Sequence, residues 1–418
     1  RKYARAYATN MHILFLTDNF PPESNAPATR TFEHAREWVA LGHAVTVITG
    51  APNFPEGVVF EGYKNRWYQR EVMNGIAVVR VKTYITANEG FSKRILDYIS
   101  FGVAGAIAGL FQKRPDVIVS TSPQFFCACG GWLLSVLRWK PWVFELRDIW
   151  PASITAVGAM EKNTVIRFLE KLEIFLYRRA DRIVSVTNSF KNELIERGIE
   201  GDKIDVVVNG VDLAMYTPAA EKDTALAGEY SLAGKFVVGY IGTHGMAHAL
   251  DKLLDAAERL QDNDDIRFLF AGGGAERANL ERMAVERKLS NVVMMPRQPK
   301  KMMPAVWSLC DISLISLRDT PLFTKVIPSK IFESMGMGLP MVIACPRGEA
   351  TEIIESVGAG VVVPPENPTA LADCILGLHA DRDSLGQLAL ASGVSAKRYN
   401  RTQQAALMLT SLQAATRD

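Results

Sequence analysis

Cysteine is scarce. The five present, Cys127, Cys129, Cys310, Cys345 and Cys374, are odd in number and scattered through apolar runs. That excludes a disulfide-stapled secreted scaffold and suits buried, reduced thiols in a cytosolic compartment. Cys127-Ala-Cys129 is the one close pair, and with no second pair at metal spacing it reads as core packing. An excess of charge of one sign is also lacking, the net being +2. This fits neither a disordered charged tail nor a strongly basic nucleic-acid binder, and no nucleic-acid partner is expected. The basic first ten residues, "RKYARAYATN", are not followed by an uninterrupted apolar core, so no secretion signal is read there. They look like an extension upstream of a start at Met11.

What is present is a repeated grammar of short β-branched runs, turns and longer periodic segments. With 418 residues, two domains are the natural prior. Runs at 12–16, 44–49, 76–81, 116–120, 142–146, 182–186 and 204–209 form a first set, and runs at 235–242, 266–272, 291–295, 311–316, 341–345 and 360–364 a second. They are continuous and not alternating, as in parallel strands covered by helices on both faces. The reading is α/β, with two doubly wound Rossmann-like domains facing a central cleft: 11–209, a linker at 210–218, 219–394, and a helix-prone tail at 395–418 that packs back on the first domain. Ligands in such sheets bind beyond the carboxyl ends of the strands.

The stretch "FTKVIPSKIFESMGMGLP", 323–340, carries the most chemistry. Pro328 and Ser329 suit a helix entrance, with Ser329 as cap and the helix running to about Met335. Its free amides and Lys330 attract an anion, and Glu333, one turn in, can accept both hydroxyls of a ribose. The alternative is an ordinary capped helix whose Lys330 and Glu333 form a surface pair worth about half a kcal/mol. Two glycine-rich turns after strands, Gly242-Thr243-His244-Gly245 and Gly272-Gly273-Gly274, free backbone for phosphate and favour a nucleotide site. An NAD site is disfavoured: Arg277 stands in the last slot of a Gly-x-Gly-x-x-Gly count from Gly272, and the next strand does not end in an acid. His244 and His248 lack a helical Glu between them and a third ligand, so a phosphate or sugar hydrogen bond suits His244 better than a metal.

These motifs resemble the glycosyltransferase family 4 enzymes of the GT-B fold. "PSKIFESMGMGLPMVIA", "NGVD" (209–212), "LGHAVTVIT" (41–49) and "AGGGAERANLERMA" carry the likeness. "NFPPESNAPATR", "FELRDIWPASI", "YIGTHGMAHAL" and "IPSKIFE" resemble more narrowly the WbuB-like branch, which transfers amino sugars such as N-acetyl-L-fucosamine in bacterial surface-polysaccharide assembly. The resemblance, from Met11 to about Tyr399, implies a retaining, metal-independent enzyme with no cofactor beyond a nucleotide-sugar donor, expected to be UDP-linked. It also implies a lipid-linked (polyprenyl diphosphate) sugar acceptor for O-antigen or capsule synthesis. Glu333 falls on the second Glu of the family's Glu-x7-Glu pattern, implied to hold the ribose. Lys325 stands where the first Glu is expected. Thr243, His244 and Ala247 occupy the region of the usual phosphate Arg and Lys, leaving Lys330 and Arg297 to carry that charge. Ser24-Asn25 replaces the family's Gly-Gly near the acceptor. Asp262-Asn263-Asp264 is similar to the metal-holding acid pair of another glycosyltransferase fold, but it precedes its strand and reads as a turn.

For the acceptor, Asp148 in "RDIWP" either orients or deprotonates the incoming hydroxyl, or caps a turn before Pro151. Arg147 and Arg30 are candidates for an acceptor phosphate, with surface ion pairing as the alternative. The apolar segment 99–111 makes a helix of about 20 Å, too short to span a hydrocarbon core of about 30 Å. Between Lys64 and Lys140 there are eleven Lys or Arg and four acids. The segment is either a core helix or one that dips into an anionic leaflet, placing the protein on the inner face of the cytoplasmic membrane. Two other readings stand beside this one: a non-hydrolysing nucleotide-sugar epimerase, which shares the fold and the nucleotide pocket, and a two-domain protein that closes on a sugar without chemistry.

Overall fold

The computed structural model describes residues 10–54, 56–86, 91–122, 124–151 and 164–417. The chain divides into two compact units, Arg1–Val208 with Arg401–Asp418, and Asn209–Asn400.

The first unit is built on β1 (His12–Leu16), β2 (Ala44–Thr49), β3 (Tyr68–Met73), β4 (Ile76–Val81), β5 (Val117–Thr121), β6 (Trp142–Leu146), β7 (Arg182–Ser185) and β8 (Ile204–Val206), in the order β3-β4-β2-β1-β5-β6-β7-β8. Ile13 of β1 lies between Val45 and Val117, and β1, β5 and β6 are buried along their whole length. Aliphatic side chains on both faces are what a helix-covered parallel sheet requires. Its helices are α1 (Ala26–Ala40), α2 (Phe91–Leu110), α3 (Phe125–Arg138), α4 (Thr164–Arg179) and α5 (Asn188–Glu196). Strand β3 is not among the runs that the sequence pattern marks; it pairs antiparallel with β4 through an Asn74-Gly75 turn in which both φ values are positive. Asn-Gly is a hairpin signal, but "YQREVM" is a half-exposed edge strand without an apolar run.

The second unit holds β9 (Phe236–Ile241), β10 (Ile266–Ala271), β11 (Val292–Met295), β12 (Ile312–Ser316), β13 (Met341–Ala344) and β14 (Gly360–Val363), in the order β11-β10-β9-β12-β13-β14, every pair parallel. Its helices are α6 (Thr224–Glu229), α7 (Leu250–Arg259), α8 (Arg277–Glu286), α9 (Met303–Ser308), α10 (Lys330–Gly336), α11 (Glu349–Val357), α12 (Pro368–Ala380) and α13 (Arg382–Ser395). The strand order reverses between β9 and β12, the switch point at which ligands bind in open α/β sheets.

Residues 210–218, expected as a linker, are irregular but packed into the second unit. Val211 and Tyr216 are buried, and a Cβ on Gly336 would lie 3.0 Å from each of their side chains. The chain re-enters the first unit at Arg401, later than the expected 395, because α13 still belongs to the second unit. The last helix, α14 (Arg401–Ala415), lies against α1, where Trp38 Nε1 donates 2.9 Å to the Ala405 carbonyl and Arg401 Nε pairs 2.7 Å with buried Glu33.

Candidate active site

The turns after β9 and β10 are built on each other. Gly242, Gly272 and Gly274 have φ of 141°, 148° and 147°, within the range that favours glycine. A Cβ on Gly272 would come 1.9 Å from the Gly242 carbonyl oxygen, and one on Gly274 2.6 Å from that of His244. The Gly242 amide donates 2.8 Å to Ala271 and the His244 amide 2.8 Å to Gly273, so the β9–β10 ladder continues through both loops. Arg277, in the slot where a dinucleotide fingerprint would have its last glycine, holds the second turn from behind. Its Nη1 donates to the carbonyls of Gly272 (2.6 Å) and Met295 (2.7 Å).

Lys330 reaches into this turn pair from α10, which follows β12. A Cβ on Gly242 would stand 2.7 Å from Lys330 Cε, so glycine is what leaves the lysine its place. Lys330 Nζ donates 3.1 Å to Tyr240 Oη and lies 4.5 Å from the centre of that ring. Burial pulls the ammonium down to about 8 from 10.5, against the opposing influence of Glu333 and Cys345. A cation of lowered hydration, next to backbone that glycine keeps bare, is suited to an anionic ligand. Glu333 lies one turn along α10 and accepts from Trp307 Nε1 at 3.3 Å.

Two details of the helix entrance differ from expectation. Ser329 makes no side-chain cap and has helical φ and ψ of −61° and −23°. The amides of Ile331 and Phe332 donate 3.2 and 3.1 Å to the carbonyls of Pro328 and Ser329. The first turn therefore uses amides expected to face an anion, and the charge at this point belongs to Lys330. Just past the helix and its cap Met337, Gly338 has a φ of 66°, the left-handed position that stops helices.

His244 is 0% exposed and neither ring nitrogen has a partner. Burial, with Arg277 and Lys330 nearby, lowers its pKa to about 4, and burial with Lys330 lowers that of His248 to about 3. Both rings are neutral at pH 7, each 6.0 Å from the Tyr240 ring. With no solvent contact, His244 backs the loop and does not present a hydrogen bond at its surface as expected. Thr243 is exposed and Gly245 half-buried. Arg297 is exposed beside Gly273, the Cβ of the arginine 4.0 Å from where a Gly273 Cβ would be. Lys325 ends a single turn of helix, Pro321–Lys325, whose Thr324 carbonyl packs on Gly348 at the start of α11. The structure thus gathers Gly242, Thr243, His244, Gly245, Gly272, Gly273, Arg297 and Lys330 around the switch point.

In the first unit, Asp148 is half-buried beyond β6. Its amide and that of Arg147 donate to Ser122 Oγ at 3.1 and 2.7 Å, which ties the loop to the end of β5. Asn25 caps α1, its Oδ1 accepting from the Ala28 amide at 3.0 Å. Arg30 does not stand where an acceptor phosphate was expected to meet it: 0% exposed, it pairs 2.8 Å with Glu145 and donates 2.9 Å to each of the Val207 and Val208 carbonyls. Its guanidinium holds α1 to the sheet and is not presented to an acceptor phosphate. Arg147 is half-buried with Nη1 enclosed. Burial lowers it to about 10, Glu145 opposing. Among the described residues no three His, Cys, Asp or Glu side chains gather where a metal ion could be held.

Two family models cover most of the chain: the glycosyl transferase 4-like domain over residues 25–210 and the glycosyl transferases group 1 over residues 235–381. An Escherichia coli (strain K12) protein named as the colanic acid biosynthesis glycosyl transferase WcaI is 29% identical over 86% of this chain and 90% of its own. A Pseudomonas aeruginosa protein named as the glycosyltransferase WbjE is 27% identical over 66% and 69%. Among solved structures, sucrose-phosphate synthase from Thermosynechococcus elongatus superposes with a TM-score of 0.78 at 15% identity, covering 97% of this chain and 98% of that one. Anabaena HepE, solved with UDP-glucose, gives 0.73 at 18%, covering 96% and 100%. At such identities the structural likeness speaks for the fold. Two matched domain models, relatives named as glycosyltransferases and the shared two-sheet architecture agree: the chain belongs to the glycosyltransferase family 4-like enzymes of the GT-B fold.

Proposed function

We propose that the protein is a retaining, metal-independent glycosyltransferase that moves a sugar from a UDP-linked donor to a lipid-linked saccharide during surface-polysaccharide assembly. The observation that carries this reading is Lys330, an ammonium of lowered hydration set against bare glycine backbone at the switch point, with Glu333 one turn behind it. Lys330, with Arg297 beside Gly273, takes the diphosphate, and Glu333 takes the ribose hydroxyls. The colanic acid biosynthesis in the name of WcaI and the UDP-glucose held by HepE support the class of product and of donor.

In the transfer, the bond between the anomeric carbon and the diphosphate oxygen breaks while the acceptor oxygen bonds to the same face of that carbon. The hydroxyl proton passes to the departing diphosphate oxygen, and Asp148 orients the hydroxyl. The charge developing on the leaving diphosphate is met by Lys330, the kind of preorganised electrostatic contact that dominates such steps. The amino-sugar donor expected from the WbuB-like motifs is part of the proposal.

The surface of the first unit supports a membrane-borne acceptor. Leu96, Ile99, Val103, Ile107 and Leu110 recur at three- and four-residue intervals along the exposed side of α2, while Phe101, Ala106 and Ala108 face inward. Leu133, Val136 and Leu137 of the neighbouring α3 are exposed too, as is Trp139 just after it. Exposed Lys93, Lys113 and Arg114 flank this apolar face. A one-sided helix with basic flanks binds at an interface, and no helix among the described residues is long and apolar enough to cross a membrane.

The test is incubation of the purified protein with UDP-sugars, with and without a polyprenyl-diphosphate saccharide and with EDTA, followed by NMR assignment of the new anomeric centre. Acceptor-dependent transfer with retained configuration in EDTA is expected. Donor epimerisation without acceptor, or no turnover at all, would replace the reading. Glu333→Ala should keep the fold and cut kcat/KM by at least about a hundredfold, since ribose contacts position the reacting carbon; near-normal transfer removes Glu333 from the site.

A further inference from the structure

The usual phosphate Arg and Lys are absent from the loop after β9, and the structure has a different device around Lys330. Tyr240, the next-to-last residue of β9, is buried with its ring beneath Lys330 Nζ at 4.5 Å and its hydroxyl 3.1 Å from that nitrogen. The hydroxyl donates in turn to the Thr243 carbonyl at 2.7 Å. Lysine, tyrosine and the first glycine-rich turn thus form one hydrogen-bonded line. A Lys side chain has four rotatable bonds and little intrinsic direction, so something must hold its ammonium where a diphosphate meets it. A ring face and a hydroxyl acceptor do so together, because a cation is attracted to the ring and the hydroxyl fixes its direction.

We propose that Tyr240 is the positioning residue for Lys330, aiming the ammonium over Gly242 toward the donor diphosphate. Tyr240 does not touch the donor; it acts through Lys330. The assignment rests on the nucleotide-site reading above and deepens it. The other groups facing the ammonium are consistent with this division of labour. His244 and His248 are neutral, Glu333 favours the charged amine, and Cys345 is a buried thiol raised to about 12. The Tyr240 hydroxyl is itself held neutral, burial raising it well above 10.0.

The experiment is a double-mutant cycle on UDP affinity with Tyr240→Phe, Lys330→Ala and the double variant, with kcat/KM followed against pH. Phe keeps the ring and removes the hydroxyl. Alone it should weaken UDP by about tenfold, the scale of one hydrogen bond to a charged group. On the Lys330→Ala background it should weaken UDP no further, since residues acting through one another are not additive. The alkaline limb of the pH profile should move to lower pH in Tyr240→Phe, because the ammonium has lost an acceptor. Additive losses, or an unmoved limb with native UDP affinity, overturn the proposal. If Lys330→Ala itself binds UDP normally, the nucleotide-site reading fails instead. Should Tyr240→Phe not fold, 3,5-difluorotyrosine at 240 keeps the shape and makes the hydroxyl far more acidic, which changes what the ammonium is bonded to; unchanged UDP affinity and pH profile there also overturn the assignment.

Discussion

Lys330 lies in the working range of pH because burial disfavours its charge. It is an ammonium below about 8 and increasingly an amine above it, against 10.5 for an ordinary lysine. A terminal phosphate, with its second pKa of about 6, is already fully charged there. UDP affinity should therefore be steady near neutrality and fall as pH rises through about 8, and the fall should vanish in Lys330→Gln. Calorimetry in buffers of different ionisation enthalpy checks the sign: binding near pH 8 should take up protons, because the diphosphate favours the charged amine. A flat affinity from pH 7 to 9.5 would contradict it. The histidines do not contribute to this limb, being neutral from about pH 5 upward.

At the scale of elements, the buried arginines are fasteners. Arg30 joins α1 to Glu145 of β6 and to the chain leaving β8, and Arg401 joins α14 to Glu33 of α1. Removing one partner leaves a buried carboxylate uncompensated, which typically costs about 3–5 kcal/mol. Arg30→Met should accordingly lower stability by about that much in urea unfolding while leaving KM for the acceptor unchanged in the fraction that folds. A raised acceptor KM at native stability would restore Arg30 as a phosphate ligand. The sequence shows Arg30 as one charged residue in an amphipathic helix; that its guanidinium is enclosed depends on Glu145 and the Val207 and Val208 carbonyls, 115 to 178 residues away in the chain.

For the whole molecule, the exposed face of α2 and α3 predicts where the protein spends its time. It should sediment with vesicles rich in anionic lipid at low salt, less so as salt rises, because about 1 kcal/mol per nearby Lys or Arg is screened within a Debye length. Val103→Asp with Ile107→Asp should abolish sedimentation and leave UDP binding unchanged, since UDP is assigned to the other unit. Failure of the native protein to sediment at low salt would remove the membrane from the proposal without touching the donor site.

The thirteen strands read from the sequence all appear within a residue or two at most ends, the β8 run ending three residues early, because continuous β-branched runs between turns have few other uses in an α/β chain. The glycine turns, Lys330 and Glu333 were legible for a related reason: backbone freedom and charge at strand ends are local properties. Tertiary structure alone decided the partners. It buried Arg30, enclosed His244, left Ser329 without a capping bond and packed 210–218 into the second unit. It also set Tyr240, on β9, under a lysine ninety residues later. A residue's type states what contacts it can make. Which of them it makes depends on non-local packing, where the cost of leaving a buried polar group unpaired selects the arrangement.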